Sequence, residues 1–365
     1  MIKLKCLENI AKKQIPNDVI MNSLKLYREI GKNSHYTTLF ASDFDFLSKQ
    51  MIFHESYSFY RCFYASTKIP ESRLKSLHLD STKPKNRGET LYKNIIEIFK
   101  IIHAPRRTPF ELTVAEINNL VTLLYKDYYS KDQLTYQKTE RHKHSLLSTE
   151  SVSKREHLES MIHLYANIKT DGEYESSYVN LNFMVDYMNM DIYKIPDGEI
   201  VALLIYYIIC MQDNFVVSQY ISFFSKLLLN LKEYNTAKDS AKMNWKEGYA
   251  EIMPLHRLFL RMYYEMYLEL EENARDYEYE SSLEISKSDY VENTIDKLNQ
   301  IFSKEDIRLR HPLISDSTIN RTLKRMQEEN KIRPLGKGRS AKWAKLYQKE
   351  TKKTILKQMN LDLGE

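Results

Sequence analysis

The residues best suited to chemistry are few. Four histidines, His142, His144, His157 and His163, lie within one polar stretch and its flank. Imidazoles could ligate zinc, but these lack cysteine partners, an H-E-x-x-H motif or ligand spacing on one helix face. No metal or cofactor is expected. Pro196-Asp197-Gly198-Glu199 offers two carboxylates in the manner of a nuclease, yet the lysine expected two residues after an acid is missing, so a helix cap is the better reading. Asp213 and Asn214 end an apolar run, where a polar pair reads as a cap or turn. Phosphate cradles need glycine for close backbone approach. The chain has eight glycines in 365 residues, Gly336 and Gly338 form its one G-x-G pair, and neither G-x-G-x-x-G nor G-x-x-x-x-G-K-[ST] occurs. The 27 tyrosines, such as Tyr206, Tyr207, Tyr263, Tyr264 and Tyr267, could stack on bases. At helical spacing they read as core and shell packing.

Charge is more informative. Residues 303–365 carry sixteen Lys and Arg against eight Asp and Glu, while residues 1–302 are net acidic, so the overall +5 is a local property of the C-terminal end. Concentrated positive charge is the footprint of a nucleic-acid module, because phosphate contacts release counterions and dominate affinity. A solvated lysine tail is the alternative.

The elements in that region give the charge a scaffold. Ser288 to Phe302 reads as a first helix with Tyr290, Ile295, Leu298 and Ile301 inward, and Lys304 to Leu309 as a second. After Pro312, Ser315 to Asn330 reads as a third, its first turn capped by Ser315, Asp316 and Ser317. Ile319, Leu323 and Met326 form its apolar stripe, which leaves Thr318, Asn320, Arg321, Lys324 and Arg325 to face a groove. The run Arg333 to Trp343 reads as a β-wing with Lys337 and Arg339 at its tip and Lys342 on its return strand. The pattern S-x-S-T-I-x-R-x-L-x-x-[LM]-x-E-x-x-x-I-x-x-x-G-x-G-R resembles winged helix-turn-helix domains of bacterial regulators. Such domains bind double-stranded DNA or serve protein contacts, and fold alone does not choose between them.

Ahead of this module the chain is helical in pattern. Ile20, Leu24, Tyr27 and Ile30 recur at spacings of three and four, and Asp43 to Tyr64 is rich in aromatics. Helices are expected over Thr90 to Ile102, after Thr113 (a capping box with Glu116), and over Glu156 to Ile168, Val179 to Met190, Asp197 to Met211, Val217 to Leu231 and Ile252 to Leu270. The apolar run Ile200 to Met211 is too short to span a bilayer and reads as a buried helix. No membrane association is expected. Residues 130–155 are polar and read as a flexible loop, and the acidic residues 276–287 as a linker. Cys6, Cys62 and Cys210 are odd in number and far apart, which fits packed thiols in a cytoplasmic protein, and the first residues lack a secretory signal.

Four places in residues 59–270 bear a family likeness. Phe63 to Glu71 resembles the upstream A-S-S-x-I-E-G segment of Fic (Fic/DOC) proteins, with Thr67 and Glu71 at the spacing of the inhibitory [ST]-x-x-x-E-[GN] motif. Thr108 to Thr113 resembles the entry to the Fic core, and Ile200 to Met211 the helix before the catalytic motif. Asn244 to Gly248 with Ile252 to Leu270 is similar to the closing helix. The resemblance implies a mainly α fold: a Fic-like helical body plus a C-terminal winged helix-turn-helix with a small β-wing. The domain plan is a helical region at 1–104, the Fic-like core at 105–275, the linker at 276–287, the winged module at 288–350 and a basic tail at 351–365.

The resemblance also implies what is missing. Fic enzymes use H-P-F-x-[DE]-G-N-G-R, with histidine as base, an acid for magnesium, and glycines and arginine for phosphates. Here residues 212–223 contain no histidine, glycine or arginine, and aligning Lys226-Leu227-Leu228 on the trailing R-L-L puts Phe215 at the histidine beside Asp213 and Asn214. Ser72 stands in place of the Gly or Asn that follows the inhibitory glutamate, and Pro70 intrudes on its helix. The expectation is a DNA-binding regulator with a catalytically degenerate Fic-like body, which forms homodimers or engages a protein partner. The alternatives are a divergent AMP transferase using a site rearranged around Asp213, and an interaction protein of a bacterial defence or mobile-element system.

Overall fold

In the computed structural model, residues 5–79, 81–104, 109–142, 149–282, 287–310, 314, 316–336 and 341–346 are described. The chain divides into two units, Met1–Ala274 and Arg275–Glu365. Among the described residues no helix is long and apolar enough to cross a membrane.

The first unit is helical. Its early elements are α1 (Asn17–Ile30), α2 (Asn33–Leu39), α3 (Phe44–Phe63), α4 (Glu71–Leu77) and α5 (Arg87–Ile102). Local chemistry sets the boundaries. Asn86 accepts from the Glu89 amide at the start of α5, while the Glu89 carboxylate is held by Arg73. The expected box opens α6 (Val114–Leu124), with the Thr113 hydroxyl accepting from the Glu116 amide.

Of residues 130–155, read as a flexible loop, 138–142 and 149–153 are strands, and 143–148 lie outside the described residues. Strand β1 (Lys138–His142) pairs antiparallel with β2 (Thr149–Ser153), Lys138 opposite Ser153. The pair is anchored beside it by the Tyr136–Tyr193 bridge, whose rings stack at 4.8 Å, and by the Gln137 amide donating to the Ile192 carbonyl. Backbone pairing of polar residues leaves no apolar alternation to read, so composition pointed to a loop.

Two helices form the centre of the body. From α7 (Lys154–Asp171) the chain turns at Gly172, where a φ of 67° suits glycine, into α8 (Ser176–Asn189) and then α9 (Gly198–Gln212). α8 and α9 pack on each other. Every residue from Val201 to Met211 is buried, as expected of a helix apolar all round. The buried Asp186 of α8 accepts from the amides of Cys6 and Leu7 and from the Trp245 indole at 2.7–2.9 Å, which ties the N-terminal segment to the core.

The single helix expected over Val217 to Leu231 is broken into three pieces. A 3-10 turn at Val216–Gln219 gives way to α10 (Phe223–Leu229) and α11 (Leu231–Lys242). Ser222 caps α10, and a carboxylate from α3 takes the next amides, so side-chain partners end the helix that periodicity would continue.

α12 runs from Met253 to Ser282 with Pro254 in its first turn, where proline is tolerated. It enters the stretch read as an acidic linker because nothing there breaks a helix: residues 255–282 contain neither Gly nor Pro. Residues 283–286 lie outside the described residues.

The second unit continues with α13 (Lys287–Lys297), β3 (Ile301–Ser303), α14 (Lys304–Arg310), α15 (Asp316–Glu328), β4 (Ile332–Pro334) and β5 (Lys342–Lys345). The strands form an antiparallel sheet in the order β3-β5-β4, a small β-wing. The first helix is shorter than expected, because Ile301 and Phe302 belong to β3, with Ile301 exposed and Phe302 buried as a strand alternates. Ser303 and Asp306 form a reciprocal cap for α14. Val291, Ile295, Phe302, Ile307, Ile319, Leu323, Met326, Ile332 and Trp343 make one core.

Candidate functional site

The place where the Fic resemblance puts a catalytic histidine is closed. Asp213 ends α9, and its carboxylate is paired with Lys169 of α7 and accepts from Asn180 of α8 at 2.8 Å. Asn214 has φ 76°, and its carbonyl accepts from Asn33 and Tyr267. Both polar residues thus make the turn that leaves α9. Phe215 is fully buried, its ring 4.5 Å from that of Tyr263, which in turn lies 5.3 Å from Phe223. A phenyl ring has no lone pair with which to take a proton from a hydroxyl.

The resembling inhibitory motif is likewise not one helix. Thr67 sits in a 3-10 turn and bonds Tyr60, Lys68 is left-handed, and Pro70 precedes α4 rather than interrupting it. Glu71 opens α4 on the surface, paired with Lys75.

Sequence reasoning missed Glu55. This α3 carboxylate is fully buried and accepts from the Ser222 hydroxyl (2.6 Å), the Tyr207 hydroxyl (2.9 Å) and the amides of Phe223 and Phe224 (both 2.9 Å). It consumes the hydrogen-bond donors at the start of α10. Burial pushes its carboxyl up to about 7, against the pull of the four donors. A folded carboxyl raised in this way ionises after the unfolded one. Stability therefore falls as pH rises from about 4.5 to about 7, and Glu55→Gln flattens that part of the profile in urea unfolding at stepped pH. An acid in the middle of an aromatic-rich helix was the available signal.

A serine–histidine contact also emerges. Ser177 lies 3.3 Å from His256, and Glu175 accepts from the Ser177 hydroxyl at 2.6 Å. Glu175 holds the serine rather than the far nitrogen of the imidazole, both partners are buried, and burial pushes His256 down to about 4. The trio caps α8 rather than forming a nucleophile relay. Asp197 departs from its expected role: it stands at the α9 N-cap without capping, and accepts from Tyr64 and Tyr129 instead. Of the histidines, His157 is buried and His163 exposed, and no metal-binding cluster exists among the described residues. Tyr206, Tyr207, Tyr263 and Tyr267 are buried in the core and Tyr264 half-buried.

In the second unit, Asn320, Arg321 and Lys324 are exposed on the side of α15 away from Ile319, Leu323 and Met326. Lys324 is 79% exposed, with Glu328 at 3.8 Å. Thr318 is half-buried and its carbonyl accepts from Thr322. Arg325 departs from the expected set: it turns toward α13 and pairs with Glu292, because position 325 falls between the buried and exposed faces. Lys342 is exposed on β5. Arg333, exposed on β4 opposite Ala344, shares its sheet face and was not singled out by sequence. Lys337 and Arg339 lie outside the described residues, as do the side chains of Ser315, Asp316 and Ser317.

No family model and no curated protein matches the sequence. Solved structures do match. One is a Fic family protein from Desulfovibrio desulfuricans G20, at TM-score 0.50 and 10% identity over 93% of this chain and 99% of that one. Another is a Fic domain containing signaling protein from Bacteroides thetaiotaomicron VPI-5482, at TM-score 0.50 and 14% identity over 69% of this chain and 97% of that one. The helical architecture described above is therefore a Fic-like fold.

Proposed function

We propose that the protein is a DNA-binding regulator: its second unit is a winged helix-turn-helix, and its Fic-like body is catalytically silent. The observation that carries this reading is the placement of Asn320, Arg321 and Lys324 on the solvent side of α15, with Arg333 and Lys342 on the open face of the sheet. α15 acts as the recognition helix in the major groove, and the wing tracks phosphates. The helix order α13, α14, α15, with strands β4 and β5 following, supports the assignment. The buried Phe215 supports the silent body. Cys6, Cys62 and Cys210 are unpaired thiols, which suits work in the cytoplasm. A homodimer on paired half-sites, or a protein partner engaged by the body, is part of the same proposal.

The test is fluorescence anisotropy of a labelled duplex carrying the DNA upstream of the protein's own coding sequence, titrated over a series of salt concentrations. Affinity falls steeply with salt for the unchanged chain. Arg333→Ala with Lys342→Ala weakens binding to all sequences alike and flattens the salt slope by up to about two units. Asn320→Ala costs about 1–3 kcal/mol on the preferred site and less on random duplex. Retention of no duplex at low salt sinks the proposal. In a parallel calorimetric titration, ATP with magnesium gives no binding heat; a clear isotherm favours a divergent nucleotidyl transferase instead.

A further inference from the structure

We infer that Glu292 is a charge clamp that withdraws Arg325 and Lys331 from the nucleic acid and leaves Arg321 and Lys324 as the cations of α15 that meet it. The inference rests on the DNA-binding reading and names a residue that shapes it. Glu292 projects from α13 between the two cations, 2.5 Å from Arg325 Nη2 through one oxygen and 2.5 Å from Lys331 Nζ through the other. Glu329 adds a contact of 2.9 Å to Lys331 and one of 3.7 Å to Arg325 Nε, and Asp289 lies 3.8 Å from Arg325. Two cations thus meet three carboxylates.

Arg325 stands one helical turn after Arg321, so by spacing alone both would reach the same backbone. The clamp separates them. Glu292 is only 22% exposed, and its two charge-assisted bonds are short, so a phosphate would have to displace a well-placed carboxylate to recruit either cation. Cations already neutralised release no counterions from DNA. Docking therefore rests on Asn320, Arg321 and Lys324, on the exposed side of α15. The α13–α15 packing does not depend on the clamp. Ser288 and Thr322 bond across the two helices at 2.9 Å, and Val291, Ile295, Ile319, Leu323 and Met326 fill the space between them.

The experiment uses the full chain and a labelled random duplex of about three helical turns, titrated between about 50 and 200 mM salt. Glu292→Gln steepens the plot of log affinity against log salt by about one to two units and raises affinity at the lowest salt about tenfold. Arg325→Ala alone changes the slope by less than about half a unit, whereas Arg321→Ala flattens it by about one. In the Glu292→Gln background, Arg325→Ala removes about one unit of the gained slope. A purely structural role for Glu292 would move the unfolding midpoint and leave the slope alone. The clamp is overturned if Arg325→Ala flattens the slope as Arg321→Ala does, or if folded Glu292→Gln keeps the original slope. Should Glu292→Gln fail to fold, the comparison of Arg325→Ala with Arg321→Ala decides by itself. If the unchanged chain binds no duplex, the DNA-binding reading falls first and takes the clamp with it; binding with the wrong slopes overturns the clamp alone.

Discussion

Glu55→Ala lowers the stability of the helical body by about 2–6 kcal/mol, the range for leaving two buried donors unpaired. The loss is concentrated on two atoms. Tyr207 keeps a second partner in His103, 2.9 Å away, and Ser222 still accepts from the Ser225 amide. The Phe223 and Phe224 amides have no such alternative, being already at the first turn of α10, where no carbonyl precedes them in register. Each buried donor left unpaired costs about 1–3 kcal/mol. Burial of the carboxyl opposes this, because Glu55 itself sits unfavourably when ionised, but its four donors offset much of that cost. Urea unfolding near pH 8, where the carboxyl is ionised in the folded protein, measures the balance. A change within about 0.5 kcal/mol, the scale of ordinary surface substitutions, would show that α10 keeps its start without the carboxylate.

Phe215→Ala should cost about 3–5 kcal/mol, the usual loss for truncating a fully buried phenylalanine. The ring is packed against Tyr263, and Tyr263 against Phe223, so the cavity opens inside an aromatic stack whose members are held from both sides and collapse little. Phe215→His is the more pointed variant. It introduces the residue type that the Fic resemblance implies there, yet the imidazole enters a fully buried position in a stretch, residues 212–223, without glycine to admit a phosphate. It therefore destabilises the body and produces no nucleotide transfer. Denaturant midpoints for both variants, with a labelled-ATP transfer assay on Phe215→His, check the pair. Measurable transfer by Phe215→His would mean that the site opens and that the silent-body reading is wrong.

What could be read from the sequence was whatever is decided within a few residues. Thr113 with Glu116 announced α6, the unbroken apolar run announced α9, and the spacing of Ile319, Leu323 and Met326 separated the two faces of α15. The misses are places where a distant residue decides. Ser222 and Glu55 end the helix that continues in pattern from Val217, and Glu55 lies 168 residues from Phe223. Arg325 counted as a groove residue because its partner, Glu292, is on another helix 33 residues earlier. The β1–β2 pair escaped because its residues are polar and its anchor, Tyr193, lies beyond two intervening helices. Phe215 is the informative intermediate case: the sequence singled out its position, but not that its ring is fully buried against Tyr263.

The three donors gathered by Asp186 also impose an order of events on synthesis. Two of them, the Cys6 and Leu7 amides, precede their acceptor by 180 and 179 residues, and the Trp245 indole follows it by 59. Translation proceeds at about 5–20 residues per second, so the N-terminal segment waits on the order of ten seconds or more before the last donor of its anchor exists. Until Asp186 exists the two amides have no acceptor, and until Trp245 exists the anchor lacks its third donor. Completion of the Asp186 anchor therefore waits on Trp245 rather than on the segment that carries Cys6 and Leu7.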